Sequence, residues 1–135
     1  MTLVDAGPLI AILNRNDPDH EPCTKALKTL TRPLVTTWPA FTEAMYLLGA
    51  YGGWPAQELL WGMVDAHHLT IGDLTPDEHA QTAALMKQYR DVPMDLADAT
   101  LVVLAGRLRH FIMFTLDSDF HVYRPAGRHF DVVPG

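Results

Sequence analysis

Apolar positions along this chain fall into two alternating kinds of run. Short runs at Met1–Val4, Leu34–Thr37, Leu69–Ile71, Phe111–Leu116 and Phe130–Val133 read as strands. The run FIMFTL at 111–116 is continuously apolar, as a strand covered on both faces requires. Between the strands, apolar residues recur at helical spacing. This predicts helices over Pro8–Leu13, Asp19–Leu30, Trp38–Ala50, Trp54–His67, Thr75 to about Arg90, and Met94 to about Arg109. Punctuation supports these bounds. Pro8 fits a first helical turn, Tyr51-Gly52-Gly53 ends a helix, and TPDE at 75–78 is a capping box with proline at the first helical position. Strands separated by helices predict an α/β fold with a mainly parallel sheet.

The stretch MDLADATLVVLA at 94–105 turns the pattern towards chemistry. From Leu96 on it has the apolar content of a buried helix, and its only charges are Asp95 and Asp98, near its start. A carboxylate at the edge of such a helix is costly unless a cation or several donors meet it. Other acids also stand where apolar elements end. Asp5 follows the first strand, and Asp117 and Asp119 follow the FIMFTL run. Glu43 lies within a helix whose i−4, i+3 and i+4 positions are Pro39, Tyr46 and Leu47, so its helical neighbours are apolar. Parallel sheets bind ligands beyond the carboxyl ends of their strands, and one end of the sheet could collect these acids.

Two unit charges 4 Å apart repel by about 4 kcal/mol at an effective dielectric of about 20. Clustered carboxylates therefore bind protons or a divalent cation, and an all-oxygen set favours Mg²⁺ or Mn²⁺. Such an ion assists in-line attack of water on a phosphodiester. Each acid also has an ordinary reading. Asp5 and Asp95 can be helix caps, Asp98 can favour a helix dipole, and Asp117 and Asp119 can form a polar turn. On local grounds Glu43 is the hardest to explain away.

Composition narrows the class. A length of 135 residues, with 48% hydrophobic and 19% charged residues, fits one domain spanning 1–135 with a sizeable core. No apolar run reaches the length of a membrane span, and MTLVDAG has no signal-like pattern, so the expected location is cytoplasmic. Cys23 is the only cysteine, which excludes an intrachain disulfide, and it reads as core. A formal charge of −6 argues against broad adhesion to nucleic acid.

Taken together, these motifs resemble the PIN-domain family of metal-dependent nucleases, most closely the VapC-type toxins of toxin–antitoxin pairs. VDAGPLIAIL resembles that family's first strand and aspartate, and WPAFTEAMYLL its glutamate helix. MDLADATLVVLAGRL and FTLDSDF resemble its last two acidic motifs, so the likeness spans essentially the whole chain. It implies a three-layer α/β/α PIN-like domain with a central, mainly parallel sheet of five strands. It also implies an acidic pocket of Asp5, Glu43, Asp98 and Asp117 that binds Mg²⁺ or Mn²⁺. In that pocket Asp5 and Asp98 are the principal ligands, and Glu43 and Asp117 ligate directly or through water. Asp95 and Asp119 are further acids, and Thr115 orients a carboxylate or a water. The implied activity is endoribonuclease cleavage of RNA by the toxin of a toxin–antitoxin pair. The implied partners are a small VapB-type antitoxin and a second copy of the chain in a homodimer. The same family also includes RNA-processing and DNA nucleases, and the fold can serve as a non-enzymatic binding or assembly module.

An acidic pocket needs help to attract RNA. Arg107, Arg109, Arg124 and Arg128, with Lys87 and Arg90, are candidate phosphate contacts near its rim, and solvated surface charge is the competing reading. The seven histidines show no zinc-binding spacing, and His67 and His68 are adjacent, so they do not share a face. Trp38, Trp54 and Trp61 lie beside apolar helical stripes and read as core or dimer packing rather than base-stacking platforms. A Mg²⁺-dependent phosphotransfer domain is disfavoured, because the chain has no phosphate-cradling glycine loop and no DxDxT-type motif.

Overall fold

In the computed structural model, which describes residues 1–135, five short strands form one parallel sheet. They are β1 (Thr2–Val4), β2 (Leu34–Thr37), β3 (Leu69–Gly72), β4 (Ile112–Phe114) and β5 (Asp131–Val133), in the order β3-β2-β1-β4-β5. Side chains alternate across the pleat, so each inner strand serves two cores. Leu3, Val35 and Met113 point into one core; Val4, Leu34 and Phe114 point into the other. Helices α1 (Ala6–Leu13), α2 (His20–Leu27) and α3 (Trp38–Asp65) cover one face, and α4 (Pro76–Gln88) and α5 (Leu96–Leu108) cover the other. The α/β/α layering and the parallel sheet agree with the sequence reading.

Strand order places the site. The chain winds outward from β1 to β2 and β3, then returns to lay β4 and β5 on the other side of β1. The direction of winding reverses between β1 and β4, and at such a switch point the strand ends splay into a crevice. Asp5 directly follows β1, and its N–H donates to the Phe114 carbonyl at the end of β4 (3.0 Å).

The two helices expected over 38–50 and 54–67 are the arms of α3, which turns sharply at Gly53 (φ 65°, ψ −156°). The arms fold back on each other. The rings of Phe41 and Trp61 lie 5.0 Å apart, and Gln57 Nε2 donates to the Met45 carbonyl at 3.3 Å. Twenty residues of straight helix would separate such rings by about 30 Å. Gly53 occupies a backbone region that is open essentially to glycine alone, and Pro55 then starts the second arm. Gly53→Ala is expected to cost about 1–3 kcal/mol, read as a lower urea midpoint. An unchanged midpoint would mean that the turn tolerates a side chain.

The outer surface of this hairpin narrows one expectation, because it removes the core alternative for the tryptophans and leaves dimer packing. Trp38, Trp54 and Trp61 are all exposed, as are Tyr46 and Leu47. The apolar stripe of the first arm is thus partly uncovered. Elsewhere the agreement is close. The TPDE box forms as expected, with the Thr75 side chain accepting from the Glu78 N–H and the Glu78 side chain accepting from the Thr75 N–H. In α5, every residue from Ala97 to Ala105 is buried. The sequence reading did not anticipate the two 3-10 turns, Ser118–His121 and Pro125–Gly127, between β4 and β5.

Candidate acidic metal site

Four chain segments bring acids to the crevice. Asp5 caps α1, Asp95 caps α5, Asp98 sits in the first turn of α5, and Asp117 caps the 3-10 turn after β4. Glu43 projects from the first arm of α3. Asp5, Glu43 and Asp117, with Gly7, Leu116 and Ser118, line a cleft of about 450 Å³. Asp95 lines a second depression with Trp38, Pro39 and Thr42. The helix N-termini here carry partial positive charge, which offsets some of the carboxylate repulsion.

The hydrogen bonds determine which oxygens remain free. Asp5 Oδ1 accepts from the Ala6 N–H (2.8 Å), and Oδ2 accepts from the Thr115 hydroxyl (3.0 Å). Thr115 Oγ1 in turn accepts from the Asp117 N–H (3.0 Å), so one threonine links the ends of β1 and β4. Asp117 Oδ1 accepts from the Asp119 N–H (2.9 Å), and Asp95 Oδ1 from the Asp98 N–H (2.8 Å). Asp98 Oδ2 accepts from the buried Tyr123 hydroxyl at 3.0 Å. This leaves the second oxygens of Asp95, Asp98 and Asp117, and both oxygens of Glu43, without a partner in the chain. Thr115 thus orients a carboxylate, as the resemblance implied.

Electrostatics ties the acids together. Burial first, then the charge of Asp95, pushes Asp98 up to about 8; the Tyr123 hydrogen bond opposes this, and Asp5 and Asp117 add to it. Burial also raises Asp5, against the bonds from Ala6 and Thr115, with Asp117 and Asp95 adding to the rise. Glu43 is raised by partial desolvation against the cleft walls, then by Asp5, Asp95 and Asp117. Each of these three groups therefore feels the charges of Asp95 and Asp117. Asp119 is raised by desolvation and by Asp117 alone, which puts it at the margin.

No three of these carboxylates converge tightly enough to form a ready-made cage. Electrostatic coupling reaches further than ligation, so these carboxylates influence one another without sharing a single coordination shell. The donor set suits a hard divalent ion: all oxygen, several oxygens free, and excess negative charge. Mg²⁺ in particular keeps several waters and needs only one or two carboxylates.

Two expectations need correction. Glu43 does not sit on a buried face: it is exposed, and so are its neighbours Tyr46 and Leu47. Its apolar surroundings are an uncovered helix surface beside the cleft. The four arginines do not gather at the rim, and none of them lines either acidic depression. Arg107 lies about 14 Å along α5 from Asp98; its Nε pairs with buried Glu78 at 2.8 Å. Arg124 donates to the carbonyls of His121, Val122 and Tyr123. Arg109 and Arg128 stack on Phe111, ahead of β4, whereas Asp117 follows that strand. Each arginine is engaged locally, where a buried acid, open carbonyls or an aromatic ring compete for it. The sequence reading also missed Tyr123. Its partner Asp98 is 25 residues away, and no local pattern joins them.

No protein-family model matches the chain. It is 28% identical over 134 residues to Ribonuclease VapC26 of Mycobacterium tuberculosis, covering 98% of this chain and 99% of that protein. Its fold is similar to the crystal structure of Mycobacterium tuberculosis VapC20, a sarcin-ricin loop cleaving toxin. That match has a TM-score of 0.83 and 16% identity, covering 90% of this chain and 94% of the other. A toxin–antitoxin complex from Klebsiella pneumoniae contains a chain with TM-score 0.65 and 21% identity, covering 89% of this chain and 90% of the other. The likeness first read from short acidic motifs therefore holds in sequence along the whole length, and in fold.

Proposed function

We propose that this chain, a VapC-type PIN-domain protein by likeness of sequence and fold, is a divalent-metal-dependent endoribonuclease and the toxin of a toxin–antitoxin pair. The observation that supports this reading is the cleft lined by Asp5, Glu43 and Asp117 beside the β1/β4 crevice, with Asp98 near enough to feel the charges of Asp5 and Asp117. The full-length similarity to a VapC ribonuclease supports it. Asp5 and Asp98 would be the principal ligands of Mg²⁺ or Mn²⁺. Glu43 and Asp117 would ligate directly or through water, with Asp95 as a further acid and Asp119 at the edge. When bound, the ion neutralises charge on the scissile phosphate and lowers the pKa of the attacking water.

The remaining work falls to the chain. Thr115 and Tyr123 fix the rotamers of the two principal aspartates. Glu43, with both oxygens free and its proton affinity raised, would accept the proton of the attacking water. Gly7 and Leu116 form an uncharged wall of the cleft. Tyr46, Leu47, Tyr51 and Trp54 are exposed apolar or aromatic side chains on the α3 hairpin. This supports assembly with a second copy and with a small VapB-type antitoxin, as the toxin–antitoxin neighbour suggests. No helix is long and apolar enough to cross a membrane, and the proposed location is the cytoplasm.

The test is cleavage of a mixed RNA pool by purified protein with Mn²⁺, with Mg²⁺, and with EDTA. Cleavage with either ion and its loss in EDTA is the expected result. Cleavage that survives EDTA would remove the metal from the mechanism. A chain that takes up Mn²⁺ yet leaves RNA intact would point to another phosphodiester substrate.

A further inference from the structure

We propose that Tyr123 is a positioning residue that selects which oxygen of Asp98 faces the metal. The inference rests on the metal reading above. Tyr123 is fully buried, and its only side-chain hydrogen bond goes to Asp98 Oδ2 at 3.0 Å. Asp98 Oδ1 has no partner in the chain, so the phenol leaves one oxygen of this aspartate free. Asp98 lies in the first turn of α5, where an unrestrained aspartate can turn back to bond the helix's own N–H groups. The phenol competes with that turn.

The ring itself cannot drift. It packs edge-on against Tyr89 and Phe120, each 5.2 Å away between ring centroids, and Phe120 packs on Phe130. The backbone is pinned too: the Tyr123 N–H reaches the Asp119 carbonyl, and its own carbonyl accepts from Arg124. Thr115 restrains Asp5 in the same way, through a buried hydroxyl on Oδ2. Both donors belong to the stretch 115–123, which also supplies Asp117. This stretch after β4 thus contributes Asp117 and Asp119 and holds two other acids, Asp5 and Asp98. Outer donors of this kind fix a ligand's orientation, and their loss costs about 10–100-fold in metal affinity.

The experiment is Mn²⁺ titration by calorimetry on wild type, Tyr123→Phe and Tyr89→Phe, with a melting curve for each in EDTA. Phenylalanine keeps the ring contacts and removes only the hydroxyl. Tyr123→Phe is expected to weaken Mn²⁺ binding roughly 10-fold or more. Its cleavage should recover partly at saturating Mn²⁺, and Tyr89→Phe should bind as wild type does. An Mn²⁺ affinity unchanged in folded Tyr123→Phe overturns the proposal, and so does an equal loss in Tyr89→Phe. A second measurement needs no variant. With ¹³C-tyrosine in wild type, the Tyr123 Cζ resonance should move on adding Mg²⁺; a resonance that stays put while Mg²⁺ binds also overturns it. A wild type that takes up neither ion overturns the metal reading itself, which is a separate result.

Discussion

Asp98→Asn is expected to end metal-dependent cleavage while making the metal-free chain more stable. The two effects have one origin. Asp98 is 5% exposed and is raised to about 8 by burial and by the charges of Asp95, Asp5 and Asp117. Its charged form is therefore unfavourable in the folded chain unless a cation is present. Asparagine keeps a carbonyl oxygen for the Tyr123 hydroxyl and turns an amide towards the remaining acids, so repulsion becomes attraction. A gain of about 1–2 kcal/mol, of the size common for relief at functional sites, is expected as a higher melting temperature in EDTA. The loss in cleavage should be roughly 100-fold or more, since losing even an outer donor costs 10–100-fold. Assay with Mn²⁺ and melting in EDTA read the two effects separately. Wild-type cleavage by the variant would exclude Asp98 from the site. A lowered melting point would mean that its charge is compensated in the folded chain in some way other than by a cation.

Part of the candidate site was legible in the sequence. Asp5, Asp95 and Asp117 stand at junctions between elements, where hydrophobic periodicity breaks, and a parallel sheet gathers its junctions at one edge. Order along the chain was enough to bring them together. Asp98 stood out because an apolar helix leaves a charge nowhere to go. Glu43 was singled out on a weaker argument, that apolar neighbours at i−4, i+3 and i+4 mean burial. That inference assumes something covers the stripe, and here the doubling back of α3 at Gly53 leaves it open. The tryptophans lie outside the core for the same reason, which removes one of the two packing roles expected of them. The arginines required knowledge of pairings across the fold: Arg107 with Glu78 is a contact over 29 residues, and it decides where that charge is used. Tyr123 depends on the path of the 3-10 turn after β4, which Gly, Pro and cap signals did not announce.

Stability should also depend on pH in a way that metal reverses. The folded-state value of Asp98, about 8, lies above its ordinary 3.8, so the folded metal-free chain holds this proton more tightly than the unfolded chain does. The resulting stabilisation is fully present below about pH 4 and is lost as pH rises through about 8, at no more than about 1.4 kcal/mol per pH unit. Asp5 and Glu43 are raised as well and act in the same direction. Glu78 is lowered, by the Thr75 N–H and by Arg107 against its burial, so its contribution is lost only in acid, below that window. In EDTA the chain is therefore expected to melt lower at pH 8 than at pH 5.5. A cation takes the deprotonated carboxylates, so its binding strengthens as the proton leaves, and it stabilises only the folded chain. The gap between melting temperatures with saturating Mn²⁺ and with EDTA should widen from pH 5.5 to pH 8. A gap that stays constant would mean that the ion binds away from Asp98. A gap that narrows would mean that the raised groups are not its ligands.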